Sequence, residues 1–158
     1  NEKRTVSIAA GLGYTLAIYN QNLGIKESNG TNTYQVLNAD ITYTINKLSF
    51  HYVDLPIEFR WRNSTPESHI FWRVYSGLKL SYLFYDQYKS VTSSGTVNLS
   101  NNKDLNQFEY GFYLSFGWNT WNFYAYYGLN PIFKSSAKIE NQSISMNTTN
   151  FGLMFYIL

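Results

Sequence analysis

Between His51 and Trp61 apolar and polar side chains alternate without a break. Val53, Leu55, Ile57, Phe59 and Trp61 fall on one face, and Tyr52, Asp54, Pro56, Glu58 and Arg60 on the other. Successive residues of a strand point to opposite faces, so the stretch predicts a two-faced strand. One face is bulky and apolar; the other carries both signs of charge. The alternation recurs along the chain. From Thr5 to Tyr19, Val6, Ile8, Ala10, Leu12, Tyr14, Leu16 and Ile18 oppose a small or polar set. Further strands are predicted over about 70–86, 108–118, 121–130 and from about 151 to the end, and no segment has a helical period. Between them lie polar stretches at 20–33, 88–104 and 134–146, a short turn at about 62–70 and a tight turn at Asn119-Thr120. Residues 34–48 alternate weakly and are expected to form a strand extension or a hairpin arm outside the main sheet. The predicted fold is all-β: an antiparallel, up-and-down arrangement in one domain of 158 residues.

Composition decides which face is inside. A soluble barrel or sandwich turns its apolar faces inward and needs a charged exterior. Only 14% of this chain is charged, and much of that lies in the polar connections. The faces opposite the apolar rows carry Gly, Ser, Ala and Tyr. Turned the other way, the apolar rows meet lipid while small and polar residues fill a narrow lumen. No apolar run reaches the roughly 18 to 20 residues of a membrane helix, but alternating barrel strands average out in a hydropathy profile. The four tryptophans, Trp61, Trp72, Trp118 and Trp121, flank the two short turns. They predict an interfacial aromatic girdle at one end. Connections alternate long and short, the pattern of outer-membrane barrels with short periplasmic turns.

Single-chain barrels of this kind begin at eight strands, whereas six are read here. Either residues 20–47 supply a hairpin, or a first hairpin lies upstream of Asn1. The charged Asn1-Glu2-Lys3-Arg4 reads as a periplasmic turn entering a strand and favours the second.

Candidate chemistry is sparse. Asp54, Glu58, Arg60, Arg73, Lys79 and Glu109 are expected to form a charge network in the lumen, since buried charges need partners. Pro56 cannot donate to a ladder and is expected to mark a bulge or strand bend. His51 with Asp54 suggests acid–base chemistry at the outer rim, but no Ser or further carboxylate stands at a defined spacing. His69 lies by the opposite, short turn. The strand glycines share the lumen face and leave room for Tyr and Arg. There is no Cys, which excludes thiolate metal sites and disulfides. With 12 basic against 10 acidic side chains there is no nucleic-acid signal, and no cofactor is expected.

Several segments resemble a known family. YVDLPIEFRWRNSTPE at Tyr52–Glu67 is similar to the strand and turn bearing an aromatic-x-(Asp/Glu)-Leu/Ile-Pro signature in PorT-like outer-membrane β-barrels of Bacteroidota. FWRVYSGLKLSYLF at Phe71–Phe84 looks like the strand that follows. WNFYAYYGLNPIF and the terminal NFGLMFYIL resemble the last two strands. The likeness covers the chain from Thr5 to Leu158 as the later six strands of an eight-stranded barrel. It implies residence in the bacterial outer membrane, in contact with lipid and lipopolysaccharide. It also implies a non-enzymatic accessory or assembly role beside other outer-membrane or periplasmic proteins, within type IX protein secretion. The alternatives are a narrow channel and, less favoured, a rim-sited enzyme. Eight strands leave an interior that side chains fill, which disfavours an open pore.

Overall fold

The computed structural model describes residues 5–37, 43–63, 72–118 and 121–154. The strands are β1 (Val6–Ala10), β2 (Gly13–Asn20), β3 (Leu23–Ser28), β4 (Thr31–Val36), β5 (Tyr43–Arg62) and β6 (Trp72–Thr92). They continue with β7 (Gly95–Ser100), β8 (Phe108–Trp118), β9 (Trp121–Gly128), β10 (Lys138–Ile139), β11 (Gln142–Ser143) and β12 (Thr149–Met154). The main sheet runs β1-β5-β6-β8-β9-β12, with β2 also on β5 and β7 also on β6. All its pairings are antiparallel. The fold is therefore all-β and meandering.

β1 and β2 are one strand in two pieces. Ala10 pairs with Ile57 and Gly13 with Asp54, so the register does not change between them. The cause of the break is Pro56. Gly11 N donates to Pro56 O at 3.1 Å, but proline has no N–H to return the bond. On its other side Pro56 stays in register, facing Lys79 between Leu55↔Leu80 and Ile57↔Leu78. The expected bulge is therefore not at Pro56, which only removes one ladder bond. Register shifts between β5 and β6 sit higher, between Tyr43 and Ile45 and between His51 and Tyr52; at the second, His51 faces Tyr85 and Tyr52 faces Leu83. Phe84 is left over as the extra residue.

The alternation orients the wall. Along β8 every second residue is exposed, from Phe108 through Tyr110, Phe112, Leu114 and Phe116 to Trp118. The residues between them, Glu109, Gly111, Tyr113, Ser115 and Gly117, are buried. β5 shows the same inversion below His51: Val53, Leu55, Ile57 and Phe59 are exposed, while Tyr52 and Asp54 are buried. Apolar side chains point out and polar ones in, the arrangement of a sheet curled around a lumen with its outside in lipid.

β5 and β6 are 20 and 21 residues long, about twice the 9–11 residues that cross a bilayer. Their surplus stands beyond the long-loop end. The stretch read as a loop over 88–104 begins with the end of β6 and its hairpin partner β7. The polar stretch 20–33 likewise holds β3 and part of β4, which form a separate two-stranded sheet. Of residues 34–48, 34–36 belong to β4 and 43–48 to the upper end of β5. Residues 20–47 thus add no strand to the membrane wall among the described residues. β10 and β11 form a third small hairpin within 134–146.

Two glycines show how tightly the wall curls. A Cβ on Gly77 would lie 2.0 Å from the Ile57 carbonyl oxygen, and one on Gly111 2.2 Å from that of Tyr127 and 2.8 Å from the Tyr126 ring. Neighbouring backbone and a buried ring occupy the space a side chain would need. Gly111→Ala is expected to destabilise the barrel by about 1–3 kcal/mol through overpacking. Urea titration of the folded band on unheated gels, where barrel and unfolded chain migrate apart, measures it.

Candidate functional site

The residues with chemistry fall into three layers: a lumen, the outer wall, and a cap over the long-loop end. In the lumen, Asp54 is buried and accepts from Thr15 Oγ1 and, at 2.5 Å, from Ser81 Oγ. Lys79 Nζ approaches Asp54 Oδ2 at 3.8 Å and lies 4.3 Å from the Tyr126 ring centroid. The Tyr126 hydroxyl donates to Glu109 Oε1 at 3.1 Å, and the Tyr52 hydroxyl to Glu109 Oε2 at 3.2 Å. One continuous chain of contacts thus joins β2, β5, β6, β8 and β9. Below it, Glu58 Oε2 and Arg60 Nε pair at 2.5 Å, with the Arg60 guanidinium 5.3 Å from the Tyr75 ring centroid. Arg73 is buried on the same inner face. All six predicted charges stand on the inner face; Asp54, Lys79 and Glu109 belong to the upper chain of contacts, and Glu58 pairs with Arg60 below it. Tyrosine is the connector that charge counting missed. Its signal was parity, since Tyr52, Tyr75, Tyr113 and Tyr126 share the inner face with the charges and are buried.

His51 and Asp54 do not meet. His51 points outward, with Nδ1 2.7 Å from the Tyr14 hydroxyl, whereas Asp54 points into the lumen. Three residues apart on a strand, they lie on opposite faces. The acid–base pair considered for the rim is therefore not assembled. His69 lies outside the described residues, as do the tips of both short turns.

On the outer wall, Trp72 pairs with Trp118 and Trp118 with Trp121 in one cross-strand row, and Trp61 pairs with Val74 just above it. All four tryptophans are exposed, and Trp72 stacks on Trp118 at 6.5 Å. A second belt, not anticipated, rings the other end: Tyr14, His51, Tyr82, Phe84, Tyr85 and Phe108. His51 lies 5.3 Å from Tyr85 and 6.0 Å from Tyr14, and Tyr82 5.2 Å from Phe108, between ring centroids. From Trp61 to His51 is ten residues, or about 25 Å along the barrel axis at a tilt of roughly 40°. That height matches the apolar band of an outer-membrane barrel.

Above the second belt the cap covers the end of the sheet. Leu23 and Ile25 of β3 pack with Leu48 and Phe50 of β5, Tyr88 of β6, and Leu105, Ile132 and Phe133 of the connections, all nearly inaccessible to solvent. This apolar cluster lies outside the membrane band, which explains why the wall needs none. The β3–β4 hairpin turns at Asn29-Gly30, both with positive φ, the preference of a two-residue hairpin turn. That dipeptide was the legible signal for the hairpin. The Tyr34 hydroxyl donates to Asp104 Oδ2 at 2.8 Å and accepts from Asn102 Nδ2 at 3.0 Å, tying β4 to the loop before β8. The hydroxyls of Tyr19 in β2 and of Thr148, just before β12, meet at 3.1 Å.

Burial pushes the Tyr34 hydroxyl well above its ordinary range. A raised folded-state pKa means that stability is fully present below the ordinary tyrosine value and is lost as pH rises through the folded one. The cap should therefore stay docked through neutral pH and release only in strong alkali. Tyr34→Phe is expected to loosen the hairpin by about 1 kcal/mol, read as faster hydrogen exchange over residues 23–36.

In the lumen, Lys79→Met would strand the Asp54 carboxylate and is expected to cost about 3 kcal/mol. The double variant Asp54→Asn/Lys79→Met should recover part of this. Urea unfolding of the three proteins in detergent gives the coupling.

A family model described as outer membrane protein beta-barrel domain matches residues 2–134. No curated protein and no solved structure is matched by the chain.

Proposed function

The chain belongs to the outer membrane protein beta-barrel domain family, sits in the outer membrane, and from that membership we propose that it is a non-enzymatic accessory or assembly component of an outer-membrane protein complex. The observation that carries this reading is the filled interior. Lys79, Asp54, Tyr126 and Glu109 occupy the lumen, and the apolar cluster around Phe50, Leu105 and Phe133 covers its outer mouth. A barrel occupied in this way acts through what its outer surfaces touch. The cap hairpins and connections are the first candidates, since binding residues concentrate on loops held by a rigid scaffold. The resemblance of Tyr52–Glu67 and Phe71–Phe84 to PorT-like barrels supports a finer assignment, to type IX protein secretion in Bacteroidota. Its partners are then outer-membrane or periplasmic proteins of that export apparatus.

The sheet has two edges, β1/β2 and β12, that do not pair with one another among the described residues. Unpaired backbone groups are not tolerated in hydrocarbon. Two further antiparallel strands joining these edges would complete an eight-stranded barrel and preserve the parity of the meander.

Two measurements test the function. Mild detergent extraction of the tagged full-length protein should retain defined outer-membrane or periplasmic partners, and a cap deletion over residues 24–35 should release them. Planar-bilayer recordings should show no stable conductance; a reproducible open pore would overturn the accessory reading in favour of a channel.

A further inference from the structure

Above the second aromatic belt the outer wall carries a row of side chains that neither the lumen nor the cap uses. Asn20 of β2 faces Lys47 of β5, Lys47 faces Lys89 of β6, and Lys89 faces Asn98 of β7. Their chain neighbours Leu48 and Tyr88 are turned inward and buried, so this row lies on the outside. Strands are spaced about 4.8 Å apart, which anchors the two lysines side by side on adjacent strands. Like charges directly opposite each other are destabilising. The two adjoining rows carry no charge to compensate: above is Ile45↔Val91, below Ser49↔Gln87. Among the described residues neither lysine forms an ion pair and none of the four side chains is engaged in a hydrogen bond. Among the described residues the row is thus two ammonium groups flanked by two amides, all able to donate and with no carboxylate paired to them.

Its height narrows the ligand. Lys47 is four residues beyond His51, about 10 Å further along the barrel axis at a tilt of roughly 40°. A phospholipid headgroup layer is only about 5–8 Å deep. A phosphate carried on a saccharide headgroup reaches the row more readily than a phosphodiester at the glycerol level. We infer that Asn20, Lys47, Lys89 and Asn98 form a docking row for the phosphate of an outer-leaflet glycolipid. Charge-assisted hydrogen bonds from both lysines bridge the phosphate oxygens and relieve the repulsion built into the pair. The amides on either side donate to the remaining oxygens or to sugar hydroxyls. The site goes beyond any role in a protein complex and does not depend on it.

The test uses the full-length protein in phosphatidylcholine nanodiscs doped with diphosphorylated lipid A, dephosphorylated lipid A or phosphatidylglycerol, with bound lipid counted by native mass spectrometry. Diphosphorylated lipid A should be retained over the other two. The double variant Lys47→Gln/Lys89→Gln should lower that retention about a hundredfold, about tenfold for each charge-assisted contact removed. Free inorganic phosphate should compete only weakly. The same variant should be at least as resistant to thermal unfolding as the native protein in lipid A-free detergent, because it removes repulsion, and should lose the protection that lipid A confers. Equal retention of dephosphorylated lipid A, or undiminished retention by the double variant, would overturn the inference. A partner complex that survives the double substitution would leave the accessory function intact while this site's contribution is judged separately.

Discussion

A strand that crosses hydrocarbon meets no water, so each backbone N–H and C=O must pair within the sheet and each outward side chain must be apolar. This constraint accounts for the inversion that runs through the molecule. On β8 the exposed residues are Phe, Tyr, Leu and Trp, and the buried ones are Glu, Gly, Tyr and Ser. It also accounts for the care with which the ladder is kept. Pro56 would break a central strand by withholding its N–H, yet the loss falls on one bond toward Gly11, while the pairing toward Lys79 continues in register.

The same constraint places the charges. Carboxylates and ammonium groups expelled from the lipid face are confined to a lumen too narrow for water to solvate them freely, so each must be satisfied by protein. Asp54 receives Thr15, Ser81 and Lys79; Glu109 receives two tyrosine hydroxyls. Tyrosine suits this role because its ring fills volume and its hydroxyl donates. The glycines opposite, such as Gly111 beside the Tyr126 ring, give these large side chains room. Filling and charge compensation are therefore one design.

Apolar burial of the ordinary kind is moved to the end of the barrel. Leu23, Ile25, Phe50, Leu105 and Phe133 form a compact cluster under the cap, where water is present and the hydrophobic effect operates. Inside the bilayer lipid and side chain are equally apolar, and hydrogen bonds and packing carry the wall. The protein thus relies on two different solvents in two layers, with Tyr14, His51 and Tyr85 marking the boundary on its outer side.

The wall strands, the face each of their residues takes and the gathering of the tryptophans at one end were legible in the sequence, because alternation with period two survives any arrangement of the strands. The parity that separates His51 from Asp54 was legible as well, although proximity in the chain suggested a pair. Which charges meet was not. Asp54 faces Ser81 and lies diagonally from Lys79, a relation set by the register between strands that the turn and the packing of both faces decide together. The cap was half legible: Asn29-Gly30 announces a hairpin, but its docking through Tyr34 onto Asn102 and Asp104 joins segments about 70 residues apart. A local pattern determines what a strand offers to each side. Only the curl and register of the sheet determine which offers meet, because contacts across a lumen depend on how many strands intervene and how far each is sheared past the next.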